Sequence, residues 1–410
     1  MRRIKAYLIG LAALLAAGCV GIDRPFEGTF DQVLILCGLG YNNLSGDLRQ
    51  NLDDLATDVL PGLSNDKAIV VFMHNTAGGY GNPNPPVLLR LFRGRDGKPV
   101  RDTLKVYEGM TLSASASSLR TVLEDIRGAF PARRYGMVYS SHGTGWLPAG
   151  YNSSSEPGSV RSFAAGAADS SGQAWPETKA LGNQYVGSSA NVQWVELQEL
   201  AAAIPMKLEY LAIDCCLSGA VEVAWELKDV CDRLVVTPAE VLTAGMIYNT
   251  LSRNVFSGPE PDLETWCREF HAYYDAQSGA YRSGTITLVD CTKLDALADA
   301  FSSILDARRD ALDVSLCNTV QRYYYASSKL RFFYDLRDLA EQLGAGEAVL
   351  GRLDDALADC IPYHAETPTF FDLPLERCCG LSVYIPDPGR PQLNDFYRTL
   401  SWNRRVGLVE

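Results

Sequence analysis

The sequence lacks several features that would each indicate a particular class of protein. Beyond its first five residues it has no run of lysine and arginine, and its net charge is −12 over 410 residues, which argues against binding to nucleic acid. Beyond the N-terminal segment it has no stretch of 18 uninterrupted apolar residues, so a later membrane-spanning helix is not expected. Eleven cysteines are too few for a disulfide scaffold. His271 and His364 have no partner at metal-ligand spacing, and we predict no metal site.

The first 18 residues are typical of an export signal. Three basic residues precede an apolar stretch, 6–17, that is too short to span a bilayer. The segment ends in Ala-Ala-Gly-Cys at Cys19, which resembles the lipobox of bacterial lipoproteins, whose cysteine is diacylated and becomes the mature N-terminus. We expect a lipid anchor on Cys19 and a tether over 19–30, which would place the protein in the bacterial cell envelope, outside the cytoplasm, at the outer membrane or cell surface. An ordinary secretory signal cleaved near Ala17 is the alternative.

Short apolar segments alternate with segments of helical periodicity through the first 250 residues. This alternation is typical of an α/β fold, in which a mostly parallel sheet is covered by helices on both faces. The predicted strands are 32–39, 67–75, 87–93, 103–109, a strand that begins at 135, 208–216 and 233–240, and the predicted helices are 44–60, 115–130, 192–204 and 220–231.

The pattern becomes more helical from about residue 255. We place a domain boundary there, between an α/β domain over 31–254 and a helix-rich region over 255–410 that contains a late strand over 380–386. The composition, 47% hydrophobic and 21% charged, is that of an ordinary globular protein, and we expect a monomer.

Two polar segments follow predicted strands and indicate where chemistry would occur. His142 is followed at once by glycine in His-Gly-Thr-Gly, and Asp214, Cys215 and Cys216 end a later strand. Parallel sheets form their sites at the carboxyl ends of strands, and a thiol, an imidazole and a glycine-lined backbone are what a cysteine peptidase needs. Taken singly, His142 fits a polar loop residue, the cysteines fit inert core residues, and His74 is a competing histidine. Together, the two segments favour catalysis.

These segments resemble the His-Gly and Asp-x-Cys motifs of the clostripain family, in the clan of caspase-like cysteine peptidases. The similarity touches most of the chain from about 31 to 405. The stretches that carry it are, strongest first, YGMVYSSHGTGW at 135–146 and YLAIDCCLSGAVEVAWEL at 210–227, then 35–55, 235–248 and 380–386. The resemblance implies a caspase-like α/β fold for 31–254 and cysteine endopeptidase activity.

The resemblance also assigns the nucleophile. The middle residue of Asp-x-Cys is usually small, whereas this chain has Cys215 there, so the nucleophile is expected to be Cys216. Strand alternation agrees, because Asp214 and Cys216 share a direction and Cys215 points the other way. The resemblance places Asp214 at the base of the S1 pocket, where its charge favours Arg or Lys at P1, Arg through a bidentate pair. A different P1 preference is the alternative.

The implied reaction is hydrolysis through a thioester. The Cys216 thiolate attacks the scissile carbonyl, the backbone N–H groups of Gly143 and Cys216 hold the oxyanion, and His142 protonates the leaving amine and later helps water attack. No cofactor is required; some relatives use calcium, but the sequence has no EF-hand-like loop. The alternative from another class is a peptidase-fold lipoprotein without catalysis that serves as a binding surface.

A long loop is predicted between the two motifs. Residues 147–190 are rich in serine, glycine and alanine and show little hydrophobic periodicity. The loop contains Arg161 and Lys179, which would suit an acidic S1 pocket, and members of the clan often mature by a cut in such a loop. We predict a regulatory cut within 147–190; a passive surface insertion is the alternative.

Overall fold

The computed structural model describes residues 24–76, 84–149, 151, 176, 178–179, 184–186, 191–193, 195–324 and 332–410. The predicted signal peptide, the lipidation site Cys19 and the candidate processing site Arg161 lie outside these ranges, as does most of the predicted loop over 147–190. Within them, no helix has the length and apolar character needed to cross a membrane.

A nine-stranded sheet forms the centre of the fold. In chain order its strands are β1 (Phe30–Gly40), β2 (Lys67–Asn75), β3 (Val87–Arg93), β4 (Pro99–Val106), β5 (Ala132–Ser140), β6 (Leu208–Asp214), β7 (Cys231–Val236), β8 (Thr285–Asp290) and β9 (Tyr363–Glu366). Their spatial order is β9-β8-β7-β6-β5-β1-β2-β3-β4. Short two-stranded pairs lie apart from this sheet, at Gln184–Val186 with Asn191–Gln193, Tyr334–Asp335 with Ser382–Val383, and Thr369–Phe370 with Leu373–Pro374.

The five central strands, β2, β1, β5, β6 and β7, run parallel, and the strands at both edges run antiparallel. Of these, β1, β2 and β6 are apolar along nearly their whole length and buried, because helices cover the sheet. The predicted α/β fold with a mostly parallel sheet is therefore confirmed, and the antiparallel edges are an addition to it.

Helices flank the sheet. They are α1 (Ser45–Thr57), α2 (Ala116–Ala129), α3 (Leu197–Ala203), α4 (Val221–Leu227), α5 (Leu251–Val255), α6 (Leu263–Asp275), α7 (Leu294–Arg308), α8 (Leu336–Gln342), α9 (Glu347–Cys360), α10 (Pro391–Arg398) and α11 (Ser401–Val406). Helix α2 shows how the sequence specifies them: the Ser115 side chain accepts a hydrogen bond from the backbone N–H of Ser118, and Leu119, Val122 and Ile126 recur on the buried face.

One predicted helix is shorter than its pattern indicated. The segment 192–204 begins in the extended pair described above, and α3 starts only at Leu197. Val192 and Val195 are β-branched, and such residues favour extended backbone over helix.

The central sheet continues past residue 255. Strands β8 and β9 extend it beyond β7, so elements on both sides of the predicted boundary share one sheet. The late strand predicted over 380–386 is shorter, Ser382–Val383, and lies beside α4, where the backbone N–H of Ser382 donates to Gly219 O. The buried Glu222 of α4 accepts hydrogen bonds from the Tyr384 N–H at 2.9 Å and the Tyr397 hydroxyl at 2.6 Å. The C-terminal region is thus bonded to the helix that follows the predicted nucleophile.

Candidate active site

Two neighbouring parallel strands bring the predicted catalytic residues together. Ser140 at the end of β5 pairs in register with Asp214 at the end of β6. His142 and Cys216 each lie two residues beyond this pair. Both line one cavity of about 90 Å³ at the carboxyl edge of the sheet.

The two adjacent cysteines face different surroundings. The Cys216 sulfur accepts a hydrogen bond from the Val241 N–H at 3.0 Å, whereas the Cys215 sulfur lies 3.9 Å from Tyr139 O on β5. Strand β6 ends at Asp214, and the left-handed backbone of Leu217 (φ 59°) turns the chain immediately after Cys216. The two thiols are therefore not equivalent, and Cys216 is the one that contacts the loop after β7.

The backbone at position 143 packs so closely against this turn that only glycine fits there. A Cβ atom placed on Gly143 would lie 2.6 Å from the Cβ of Cys215 and 3.2 Å from Cys216 O. Glycine thus lets the backbone that follows His142 approach the strand end that carries the thiols.

His142 is oriented by a residue that sequence reasoning did not identify. Its Nε2 lies 2.7 Å from Asn43 Oδ1, which makes Asn43 the partner that fixes the ring. Burial lowers the pKa of His142 to about 3, while a contact with the Lys179 backbone raises it and the Lys179 charge lowers it further. The imidazole is therefore neutral at physiological pH in this state. The one available signal was the Asn-Asn-Leu turn within 35–55.

Asp214 is fully buried at the centre of a polar cluster. Its Oδ2 is bonded to the Lys179 ammonium, to the Ser140 hydroxyl at 2.7 Å and to the Tyr248 hydroxyl at 2.7 Å. Its Oδ1 accepts the Met246 N–H at 3.2 Å. A buried carboxylate with these donors is well suited to bind a single cation.

Gly245 packs closely against this polar cluster. Its backbone is left-handed (φ +75°), and a Cβ there would lie 2.6 Å from Asp214 Oδ2. Any larger residue at this position would occupy the space that the lysine side chain fills.

The main chain around Lys179 also contacts the candidate active site. The Gly143 N–H donates to Lys179 O at 3.1 Å, and the Lys179 N–H donates to Val241 O at 2.7 Å. Thr178 forms an antiparallel bridge with Leu242. Residues 178–179 thus lie as a short added strand, with a lysine side chain on Asp214 and a lysine carbonyl at the N–H predicted to hold the oxyanion.

A second buried carboxyl lies next to the thiol. Burial raises the pKa of Glu240 to about 8, and the Thr178 side chain lowers it in part. Burial also raises the pKa of Cys216 well above its usual value; Glu240 adds to this effect, and the Val241 N–H opposes it. Both groups are consequently protonated near neutral pH while residues 178–179 are in place.

Metal ligands are not clustered in the part of the chain that the structure describes, where no group of three or more histidine, cysteine or acidic side chains is placed to hold an ion.

Comparisons with known proteins show similarity to one family of cysteine proteases. A model of the clostripain family matches residues 169–344, which include Asp214, Cys216 and Glu240. No protein with a curated description matches the chain. A secreted C11 cysteine protease from Bacteroides thetaiotaomicron is 26% identical, with a TM-score of 0.75 over 93% of this chain and 100% of its own.

Two further structures share the fold. An inactive zymogen of a C11 protease from Parabacteroides distasonis is 24% identical and has a TM-score of 0.73 over 93% of this chain and 99% of its own. A secreted C11 protease from B. thetaiotaomicron in complex with an irreversible peptide inhibitor is 18% identical and has a TM-score of 0.70 over 92% and 99%. Residues 169–344 thus match the clostripain family of cysteine proteases, and the chain has the fold of a C11 cysteine protease.

Proposed function

We propose that this protein is an exported cysteine endopeptidase that cleaves after lysine or arginine, and that its uncut chain is kept inactive by Lys179. The match to the clostripain family model supports the reaction class, and the shared cavity of His142 and Cys216 supports their catalytic roles. The observation that carries the specificity is the position of Lys179, whose ammonium binds Asp214 and whose carbonyl accepts the Gly143 N–H. This is the arrangement expected of a P1 residue in a peptidase site.

The reaction proceeds through two acyl transfers. The Cys216 thiol gives its proton to His142 as its sulfur bonds to the scissile carbonyl carbon, and the Gly143 N–H stabilises the negative charge that develops on the oxygen. The C–N bond then breaks as His142 gives a proton to the leaving amine. Water adds to the thioester with His142 accepting its proton, the C–S bond breaks, and the thiol and a free carboxylate result.

The same contacts explain why the uncut chain would be inactive. Lys179 fills the pocket over Asp214, so a substrate side chain cannot enter. Burial holds the pKa of the Cys216 thiol high and that of His142 low, and a protonated thiol is a poor nucleophile. A cut after Lys179 would allow residues 178–179 to leave and would admit both water and substrate.

The cut is tested by comparing the wild type with three variants. We expect wild type to yield two fragments, the second beginning at Ala180, and Cys216→Ala to stay intact. Lys179→Ala should lose this cut, and Arg161→Ala, the matched control, should keep it. N-terminal sequencing of the fragments locates the bond.

Two results would count against this proposal. An intact wild-type chain that hydrolyses lysine substrates at full rate would show that no cut is needed. If the wild-type chain stays uncut, and after its loop is cut by another protease it neither hydrolyses peptides nor reacts with a lysine chloromethylketone, the binding-surface alternative is favoured.

The proposal includes a lipid anchor on Cys19. The motif Ala-Ala-Gly-Cys after an apolar stretch supports it. Mass spectrometry of the mature N-terminus should find a diacylated cysteine, and Cys19→Ser should move the protein from the detergent phase to the aqueous phase. A free N-terminus at another residue would contradict the anchor and leave the peptidase proposal untouched.

A further inference from the structure

The position of residues 178–179 also indicates which part of the protein would bind the P2 residue of a substrate, the residue that precedes the P1 lysine. The Lys179 N–H donates to Val241 O at 2.7 Å, and Thr178 bridges Leu242 in antiparallel orientation. A peptide substrate that placed its own lysine on Asp214 would run along 241–242 in the same way. Its P2 side chain would then occupy the place of Thr178.

In this arrangement, the P2 side chain would contact Glu240. It is only 1% exposed, and its carboxyl interacts with the Thr178 side chain. Among the residues described, neither carboxyl oxygen of Glu240 has a hydrogen bond of regular geometry. A buried carboxyl that is incompletely satisfied costs free energy, and such groups in native structures call for a functional explanation.

Glu240 belongs to the same short segment that contacts the thiol and the docked backbone. Its neighbour Val241 donates to the Cys216 sulfur at 3.0 Å and accepts from Lys179. The carboxyl is thereby fixed beside the active site and directed at the residue that precedes P1. A position in the S2 subsite accounts for its burial and for its lack of regular hydrogen bonds among the described residues.

We propose that Glu240 lies in the S2 subsite and selects the P2 residue of the substrate. The enzyme then prefers, immediately before its P1 lysine, a small side chain that donates a hydrogen bond, which is threonine or serine. This inference rests on the proposed function, because it takes Lys179 as a P1 mimic. The substrates it selects are exposed Thr-Lys and Ser-Lys segments. Valine, which has the shape of threonine but no hydroxyl, would leave the carboxyl without a donor.

The test uses two fluorogenic tetrapeptides that differ only at P2, ending in Thr-Lys and Val-Lys, with enzyme cut after Lys179. For wild type we expect kcat/KM to be at least about 10-fold higher for Thr-Lys. In Glu240→Leu the ratio should fall to roughly 1, and in Glu240→Gln, which keeps an acceptor oxygen, a preference for threonine should remain. Because both kcat/KM values are measured on the same variant, a change in the reactivity of Cys216 affects both equally and leaves their ratio unchanged.

Glu222→Gln is the matched control, since it alters another buried carboxyl, one bonded to Tyr384 and Tyr397. It should keep the wild-type ratio. Equal hydrolysis of the two peptides by wild type, or a threonine preference that survives in folded Glu240→Leu, would overturn the S2 assignment while lysine cleavage stands. If neither peptide is cut and no other lysine substrate is cut, the proposed function itself is wrong.

Discussion

Replacing Cys216 with alanine should abolish peptide hydrolysis and leave the chain uncut, whereas Cys215→Ala should retain most of the activity. Loss of the nucleophile removes the covalent route and should lower kcat by roughly 10⁴-fold or more. Cys215 contacts the β5 backbone at Tyr139 and packs against Gly143, so its truncation should disturb only local packing. The measurement is hydrolysis of a fluorogenic lysine substrate by each variant after the loop has been cut.

The Cys215 variant serves as the control for this experiment. Both substitutions remove one buried sulfur from the same turn, so a general effect on folding would appear in both. Thermal unfolding of the two variants checks this directly. If Cys215→Ala is the inactive variant and is folded, the assignment of the nucleophile is reversed.

The second large effect is expected at Asp214. Asp214→Asn should reduce kcat/KM for lysine substrates by about 10²- to 10³-fold, because the substrate cation would be buried without a counter-charge. Wild type should cut lysine and arginine substrates far faster than those with asparagine, aspartate or leucine at P1. Since the variant is not expected to process itself, it is first cut with tagged wild-type enzyme, which is then removed.

The geometry of the pocket further predicts lysine over arginine. Oδ1 of Asp214 is taken by the Met246 N–H, and Oδ2 already accepts from Ser140 and Tyr248. A bidentate pair with arginine needs both oxygens to be available, whereas an ammonium needs one. The sequence-based expectation of a bidentate arginine is therefore refined to a preference for lysine. Equal losses for every P1 residue in Asp214→Asn would identify a structural aspartate instead.

Several parts of the fold and the site follow from local sequence. The apolar runs of β1 and β2 and the helical period of α2 predict their elements, since each pattern repeats over many residues. The convergence of His142 and Cys216 also follows, because carboxyl ends of neighbouring parallel strands meet at one edge. The motifs that resemble the clostripain family then predict which of the two cysteines is the nucleophile.

Other parts depend on contacts between distant residues. Asn43 reaches His142 across 99 positions of sequence, and nothing in the local pattern distinguishes it from Asn42. The four residues of β9 carry too little periodicity to be separated from the helices around them. Lys179 and Arg161 are the two basic residues of the predicted loop over 147–190, which has little hydrophobic periodicity. Only the contact with Asp214 distinguishes Lys179 from Arg161.

Because Lys179 is covalently attached to the protein whose pocket it fills, it competes there at a fixed effective concentration. For a short tether this is on the order of millimolar, whatever the protein concentration. A free peptide or covalent lysine probe must exceed that level to enter an uncut chain, but meets an open pocket once the segment has left. At micromolar dose such a probe would label only processed molecules, so the labelled fraction would measure directly how much of a population has been activated.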